Sequence, residues 1–264
     1  MLPNVSYIFE IFIGLAIIAF TIYIWKAFNK EKFSTFIFNR MIIIIAVSGV
    51  VMAVSANLTN RLFHFIGGTP WEKTSGITYL AGFMLGMVCY IILFLVVLKS
   101  ERKKTLYYIN VFIPGVALAH GIGRIGCFLA GCCFGKVTNS FLGVAFPINS
   151  PAFYYLTNTL GLSEAEALIT KVYPTQLFEA LFCFILFAAL VLVKKHRINI
   201  YLISYGTFRF LIEFLRNDDR GKLLFLNISP SQLFSIICVI IGIFLFVLEL
   251  VIIPKYNAKR HNPE

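Results

Sequence analysis

Residues 120–135 read His-Gly-Ile-Gly-Arg-Ile-Gly-Cys-Phe-Leu-Ala-Gly-Cys-Cys-Phe-Gly, late in a strongly apolar segment. A histidine, an arginine and three cysteines there have no use on a lipid-facing helix, because an ionisable group at membrane depth is costly and by default marks a functional site or an internal ion pair. Two further polar stretches interrupt apolar runs, Tyr173-Pro-Thr-Gln-Leu-Phe-Glu179 and Arg209-Phe-Leu-Ile-Glu-Phe-Leu-Arg216. Arginine forks match phosphate oxygens bidentately and stay charged in a low dielectric. Together the three stretches suggest a pocket for the phosphate of a lipid.

The spacings sort these side chains onto faces. His120, Arg124 and Cys127 stand at i, i+4 and i+7, one face of a helix. Gly121, Gly123 and Gly126 thin that helix and permit close approach by a neighbour or a ligand, and Gly131 and Gly135 break it. Tyr205, Arg209, Glu213 and Arg216 are likewise spaced for one face, and Gln176 and Glu179 lie one turn apart. Either Glu213 pairs with both arginines as helix glue, or it orients them while one stays available to an anion. His120 is a candidate base, since a neutral imidazole accepts a proton, or a helix-packing residue. Cys127, Cys132 and Cys133 invite a metal reading, a disulfide or a covalent relay, but no Cys-x-x-Cys pair is present. Small packing residues are the default, and no metal is assigned.

The elements that must position these groups are membrane spans. The 264 residues are 59% hydrophobic and only 13% charged, with mean hydropathy +0.85. At roughly 20 residues per helical span, seven segments are long enough, near Tyr7–Phe28, Phe38–Leu58, Ile77–Leu98, Tyr107–Leu129, Leu177–Val193, Ile198–Leu215 and Leu233–Ile253. The expected fold is an all-α polytopic membrane protein with about seven transmembrane helices and a single transmembrane domain over 1–264. Lys26, Lys30, Lys32 and Arg40, then Lys99–Lys104, Lys194–Arg197 and Lys255–Arg260, crowd one set of connections. The positive-inside rule therefore predicts the N-terminus outside and the C-terminus in the cytoplasm. Residues 134–173 become an extracytoplasmic loop, in which Ser163-Glu-Ala-Glu166 has the capping-box pattern of a short amphipathic helix. Residues 255–264 form a cytoplasmic polar tail. The net charge of +11 is spread between apolar runs, which argues for topology and anionic lipid and against nucleic acid. Phosphate-loop and dinucleotide motifs are absent, and no cofactor is expected.

At these residues the chain resembles the prolipoprotein diacylglyceryl transferases. Their Gly-Arg-x-Gly-Asn-Phe-x-Asn-Gly-Glu-x-x-Gly signature answers to Gly123–Gly135, their His-Pro-Ser-Gln-Leu-Tyr-Glu stretch to Tyr173–Glu179, and their Arg-Phe-x-x-Glu-Phe-x-Arg stretch to Arg209–Arg216. The resemblance implies transfer of the diacylglyceryl group of phosphatidylglycerol to the lipobox cysteine thiol of an exported prolipoprotein, with loss of glycerol phosphate. It implies a bacterial cytoplasmic (inner) membrane location with the active site toward the outer leaflet. Partners would be phosphatidylglycerol, the signal-peptide lipobox segment and membrane lipid. By resemblance Arg124 and Arg209 hold the head group, Glu213 holds Arg209, and Gln176 and Glu179 line the pocket. The site then comprises His120, Arg124 and Arg209 as catalytic candidates, with Gly126, Cys127, Gly131, Gln176, Glu179, Glu213 and Arg216 binding substrate.

The chain departs from the family at informative places. Leu80 stands at the family's histidine in a block read here as Gly76-Ile-Thr-Tyr-Leu-Ala-Gly82, and leucine cannot take a proton. Cys127, Ala130 and Cys132 replace two asparagines and an acid. His120 is placed to compensate, with Tyr79 a weaker hydrogen-bond donor. Two alternatives follow: a family member serving another acceptor, or a lipid-binding or transport protein without chemistry. No internal repeat supports a carrier.

Overall fold

The structure, a computed structural model, describes residues 3–66, 79–217 and 228–252. In order come α1 (Pro3–Lys30), α2 (Thr35–Ile66), α3 (Tyr79–Val97), α4 (Thr105–Leu129), α5 (Pro151–Tyr154), α6 (Glu164–Ile169), α7 (Thr175–Leu192), α8 (Arg197–Ile212) and α9 (Pro230–Val247). Among the described residues the only β pairing is three isolated bridges. An apolar segment in lipid must satisfy its own backbone, and helices do so. Among the described residues six stretches are long and apolar enough to cross a membrane: Tyr7–Lys30, Thr35–Leu62, Lys99–Leu129, Thr175–Leu192, Arg197–Leu215 and Pro230–Leu250. The third expected span appears as the shorter apolar helix Ala81–Val97, its expected start at Ile77 lying outside the described residues. Outside them too are the tail 255–264 and the side chains of Tyr79 and Leu80. Large apolar residues such as Ile11, Ile43 and Ile240 are exposed, as lipid-facing positions must be.

The chain divides into two compact units: Met1–Glu31 with Pro114–Ala189 and Leu211–Asp219, and Lys32–Ile113 with Leu190–Phe210 and Arg220–Glu264. In the second unit, glycines bring helices into backbone contact, the packing that small residues permit where lipid offers no hydrophobic drive. A Cβ on Gly82 of α3 would lie 2.5 Å from the Met52 carbonyl oxygen of α2, and one on Gly86 would lie 2.8 Å from Met52 Cβ. Gly206 meets the Ser235 carbonyl on α9 in the same way. A capping box starts α9, with the Ser229 side chain accepting from the Gln232 N–H and the Gln232 side chain from the Ser229 N–H. Pro114 lies inside α4 and has no N–H, so the Asn110 carbonyl one turn earlier loses its helical donor. Arg197 supplies one, Nη1 to Asn110 O at 3.3 Å, while Asn110 Oδ1 accepts from Ile198 N at 2.9 Å. Glu249 accepts from Asn199 and pairs with His196.

In the first unit α1 packs on α4 through glycine again. A Cβ on Gly115 would lie 2.7 Å from the Tyr23 ring, and one on Gly126 would lie 2.5 Å from Phe12 Cβ. Gly121 faces Phe184 of α7, and Tyr23 meets Phe187 edge-on at 5.9 Å. The connection between α4 and α7 has its own small core, Phe146, Ala152, Phe153, Leu156, Ala167 and Val172, with Phe128 and Phe134 against it. Ser150 caps α5 by accepting from Phe153 N, and Pro151 takes the first helical position. The predicted capping box is present at α6: Ser163 Oγ accepts from Glu166 N, and Glu166 Oε2 accepts from Ser163 N at 2.9 Å. Donation from the Ser163 hydroxyl and N–H lowers the Glu166 carboxyl below its ordinary range.

One prediction belongs to this packing. Gly126→Ala should destabilise the chain by about 1–3 kcal/mol, because Phe12 Cβ, fixed to the α1 backbone, cannot swing aside. Gly123→Ala, with nothing within 4 Å of its Cβ, should be near neutral. Thermal melts of the two variants in detergent check both; equal melting would mean that α1 does not hold this register.

Candidate active site

In the first unit, α4 and the start of α7 bring together most of the residues singled out from the sequence. His120 and Arg124, one turn apart, are both buried, and Arg124 Nε lies 3.2 Å from His120 Nε2. Glu179 of α7 is fully buried against them, its Oε2 3.0 Å from Arg124 Nε and its Oε1 3.4 Å from His120 Nε2. The result is a buried arginine held from two sides. Imidazole accepts from the guanidinium while neutral; a proton arriving at Nε2 would exchange that contact for a charged one to Glu179. Such a pair costs desolvation on both sides and is kept where geometry repays it.

The chain then reverses. Gly131 N donates to Phe128 O at 2.9 Å and Cys132 N to Cys127 O at 3.1 Å, with Gly131 at φ +64°. This is a Schellman ending, which needs a left-handed residue at Gly131. That turn accounts for Gly131, as the contact with Phe12 accounts for Gly126. Cys133 follows at φ 63°, a conformation that costs energy in a residue with a side chain. Two side chains from the start of α7 hold the turn: Thr175 Oγ1 donates to Cys133 O at 2.9 Å and Gln176 Nε2 to Cys132 O. Gln176 is thus buried beside the cysteine turn, one helical turn from Glu179. The Sγ atoms of Cys127, Cys132 and Cys133 all lie within 4.8 Å of one another. Hydrogen bonds from Cys127 and Cys132, with the nearby charges of Arg216 and Arg124, hold the Cys133 thiol well below the ordinary thiol range against its burial.

Arg216 departs from the expected helical face. The α-helix ends at Ile212, Glu213–Leu215 form a 3-10 turn, and Arg216 is extended, with ψ 156°. Its backbone bridges to Gly135, and Lys136 N donates to Leu215 O. A Cβ on Gly135 would lie 2.6 Å from that Leu215 carbonyl, so glycine permits the pairing. Pairing with the loop after α4 wins over continuing the helix, and it turns Arg216 toward the cysteine cluster, its Nε 3.8 Å from Glu213 Oε2.

Arg209 belongs to the second unit. It is buried, and Nη2 donates to Ser231 Oγ at 3.2 Å. Ser231 was not among the expected site residues, nor was Thr175. The Ser-Pro-Ser-Gln capping pattern at 229–232 and the Pro-Thr helix start at 174–175 were the available signals.

The fold and the buried arginine–carboxylate–histidine group define a multi-pass membrane protein with a polar interior site. The profile of the family described as prolipoprotein diacylglyceryl transferase matches residues 4–248. A relative from Clostridium perfringens named phosphatidylglycerol–prolipoprotein diacylglyceryl transferase 2 is 32% identical over 91% of this chain and 90% of its own length. One from Clostridium tetani with the corresponding name is 40% identical over 56% of this chain and spans only 55% of that relative, and one from Chlorobaculum tepidum is 30% identical over 67% of this chain and 57% of its own length. The chain belongs to the prolipoprotein diacylglyceryl transferase family.

Proposed function

We propose that the chain transfers the diacylglyceryl group of phosphatidylglycerol to the cysteine thiol of a prolipoprotein lipobox. The sulfur forms a bond to the glyceryl carbon, the carbon–oxygen bond to phosphate breaks, the thiol proton is given up and glycerol phosphate leaves. Family membership together with the buried Arg124, gripped by Glu179 at 3.0 Å, carries this reading. Charge grows on the phosphate as its bond to carbon breaks, and a preorganised cation there lowers the barrier. Arg124 supplies that cation, Glu179 and Gln176 keep its surroundings in place, and His120 Nε2 is positioned to take up a proton as its contact moves from Arg124 to Glu179. The assignment of Arg209 and its neighbour Glu213 to the head group rests on their sequence block.

The reaction belongs to a bacterial cytoplasmic membrane, with the N-terminus and residues 134–173 outside, the C-terminus in the cytoplasm and the site toward the outer leaflet. A second reading, another thiol or alcohol as acceptor, is favoured by Leu80 and by the cysteines at 127 and 132, where the family signature has polar residues. The purified protein, given labelled phosphatidylglycerol in vesicles and a lipobox peptide, should yield lipid-modified peptide and glycerol phosphate. Glycerol phosphate released without modified peptide would favour the other acceptor; neither product from folded protein would reduce the chain to lipid binding or transport.

A further inference from the structure

The Sγ atoms of Cys127, Cys132 and Cys133, all within 4.8 Å of one another, are close enough to share a single metal ion. The sequence spacing, Cys-x4-Cys-Cys, conceals this closeness, because the Schellman turn folds Cys132 back over Cys127 and the left-handed backbone of Cys133 turns the third sulfur inward. The turn is held from outside by Thr175 and Gln176, whose hydrogen bonds go to the carbonyls of Cys133 and Cys132, with Cys132 Sγ adding a longer contact to Cys127 O at 3.6 Å. No disulfide joins the three cysteines.

We propose that Cys127, Cys132 and Cys133 form a binding site for a thiophilic divalent cation, Zn²⁺, whose open fourth position takes the acceptor thiol of the transfer reaction. The second half of this inference rests on the transferase reading above; the first half does not. Thiolate sulfurs bind zinc at about 2.3 Å, which in a tetrahedron sets them about 3.8 Å apart. Rotation about the cysteine side-chain bonds covers the difference from 4.8 Å. Three protein ligands with one position left open is the pattern of a reactive zinc site. Soft sulfur donors favour zinc over the hard cations that prefer oxygen. Three thiolates leave a zinc site with one net negative charge and a fourth leaves two; Arg124, one turn before Cys127 on the same helix, is placed to offset part of it.

The chemistry is that of thiol alkylation. A thiol that coordinates zinc is deprotonated outright at neutral pH, so the acceptor binds as thiolate and its proton passes to water or to His120. The bound sulfur then attacks the glyceryl carbon, the carbon–oxygen bond breaks and the electron pair leaves on glycerol phosphate beside Arg124. The thioether product binds zinc weakly and departs. Nothing is oxidised or reduced.

The test begins with metal content. Protein purified under reducing conditions and dialysed against trace Zn²⁺ should hold about one zinc per chain by elemental analysis. Co²⁺ in its place should give the thiolate-to-cobalt charge-transfer and visible bands of a tetrahedral sulfur site. Cys132→Ser and Cys133→Ser, each with its detergent melt measured, should lose both signals. Reduced, folded parent protein that takes up neither metal would overturn the proposal, as would a Cys127–Cys132 or Cys127–Cys133 disulfide whose reduction opens no metal site. Chelation should abolish transfer to a lipobox peptide and Zn²⁺ restore it. Transfer undiminished in metal-free protein would sink the zinc role and leave the transferase reading standing. Zinc bound in stoichiometric amount with no transfer would sink the transferase reading and leave the metal site standing.

Discussion

Arg124→Lys is expected to lower transfer to the lipobox peptide about 100-fold, the loss that follows removal of one preorganised donor from a site of developing charge, while the chain stays folded. Lysine keeps a positive charge opposite Glu179, so the buried carboxylate is not abandoned. What it lacks is the planar fork and the Nε–H that reaches His120 at 3.2 Å. A single ammonium cannot hold Glu179 with one hydrogen and present two parallel ones to a phosphate. The measurement is the initial rate of peptide modification at saturating phosphatidylglycerol, beside a melt of the same preparation. A full rate in the lysine variant would make Arg124 a helix-pairing residue whose charge alone matters, and the phosphate would then be held elsewhere.

Glu179→Ala should have the largest effect on stability of any single substitution at the site, about 3–5 kcal/mol, because breaking a buried pair strands the remaining charge. The carboxylate is fully buried and touches both Arg124 and His120. Alanine removes the acceptor and leaves a cavity beside a guanidinium that is itself buried. Glu179→Gln keeps the volume and one acceptor oxygen, so its loss should be clearly smaller. Melting of both variants in the same detergent separates charge from shape. An alanine variant as stable as the parent would mean that solvent or lipid head groups reach Arg124 and carry its charge.

Much of this was legible because it depends on period. The register of His120 and Arg124, the shared face of Gln176 and Glu179 on α7, and six of the seven expected spans with a shorter apolar helix for the third follow from the 3.6-residue repeat and from apolar length. The Ser163–Glu166 capping box is a local signature that held at atomic detail. What escaped depends on where a period stops. Arg216 leaves the helical face because the last turn tightens to 3-10 and its backbone is captured by Gly135, a pairing partner some 80 residues away that no local pattern announces. Cys133 adopts a left-handed backbone without being glycine or asparagine, so residue type gave no warning that three sulfurs would meet. Ser231 became a partner of Arg209 through a helix start whose capping pattern was visible but had no reason to be tied to that arginine.

The proline in α4 sets an order of events during synthesis. When α4 enters the bilayer, the Asn110 carbonyl opposite Pro114 has no donor in its own helix, and the donor it finally takes, Arg197, lies 87 residues further along. At roughly 5–20 residues per second, that residue emerges about 4–17 s later. For that interval the early turns of α4 keep a polar atom that only water or the insertion machinery can accommodate, since hydrocarbon offers no partner. The first residue of α8 therefore acts as a latch on a helix made long before it, and a ribosome stalled short of Arg197 would leave α4 inserted but unfinished.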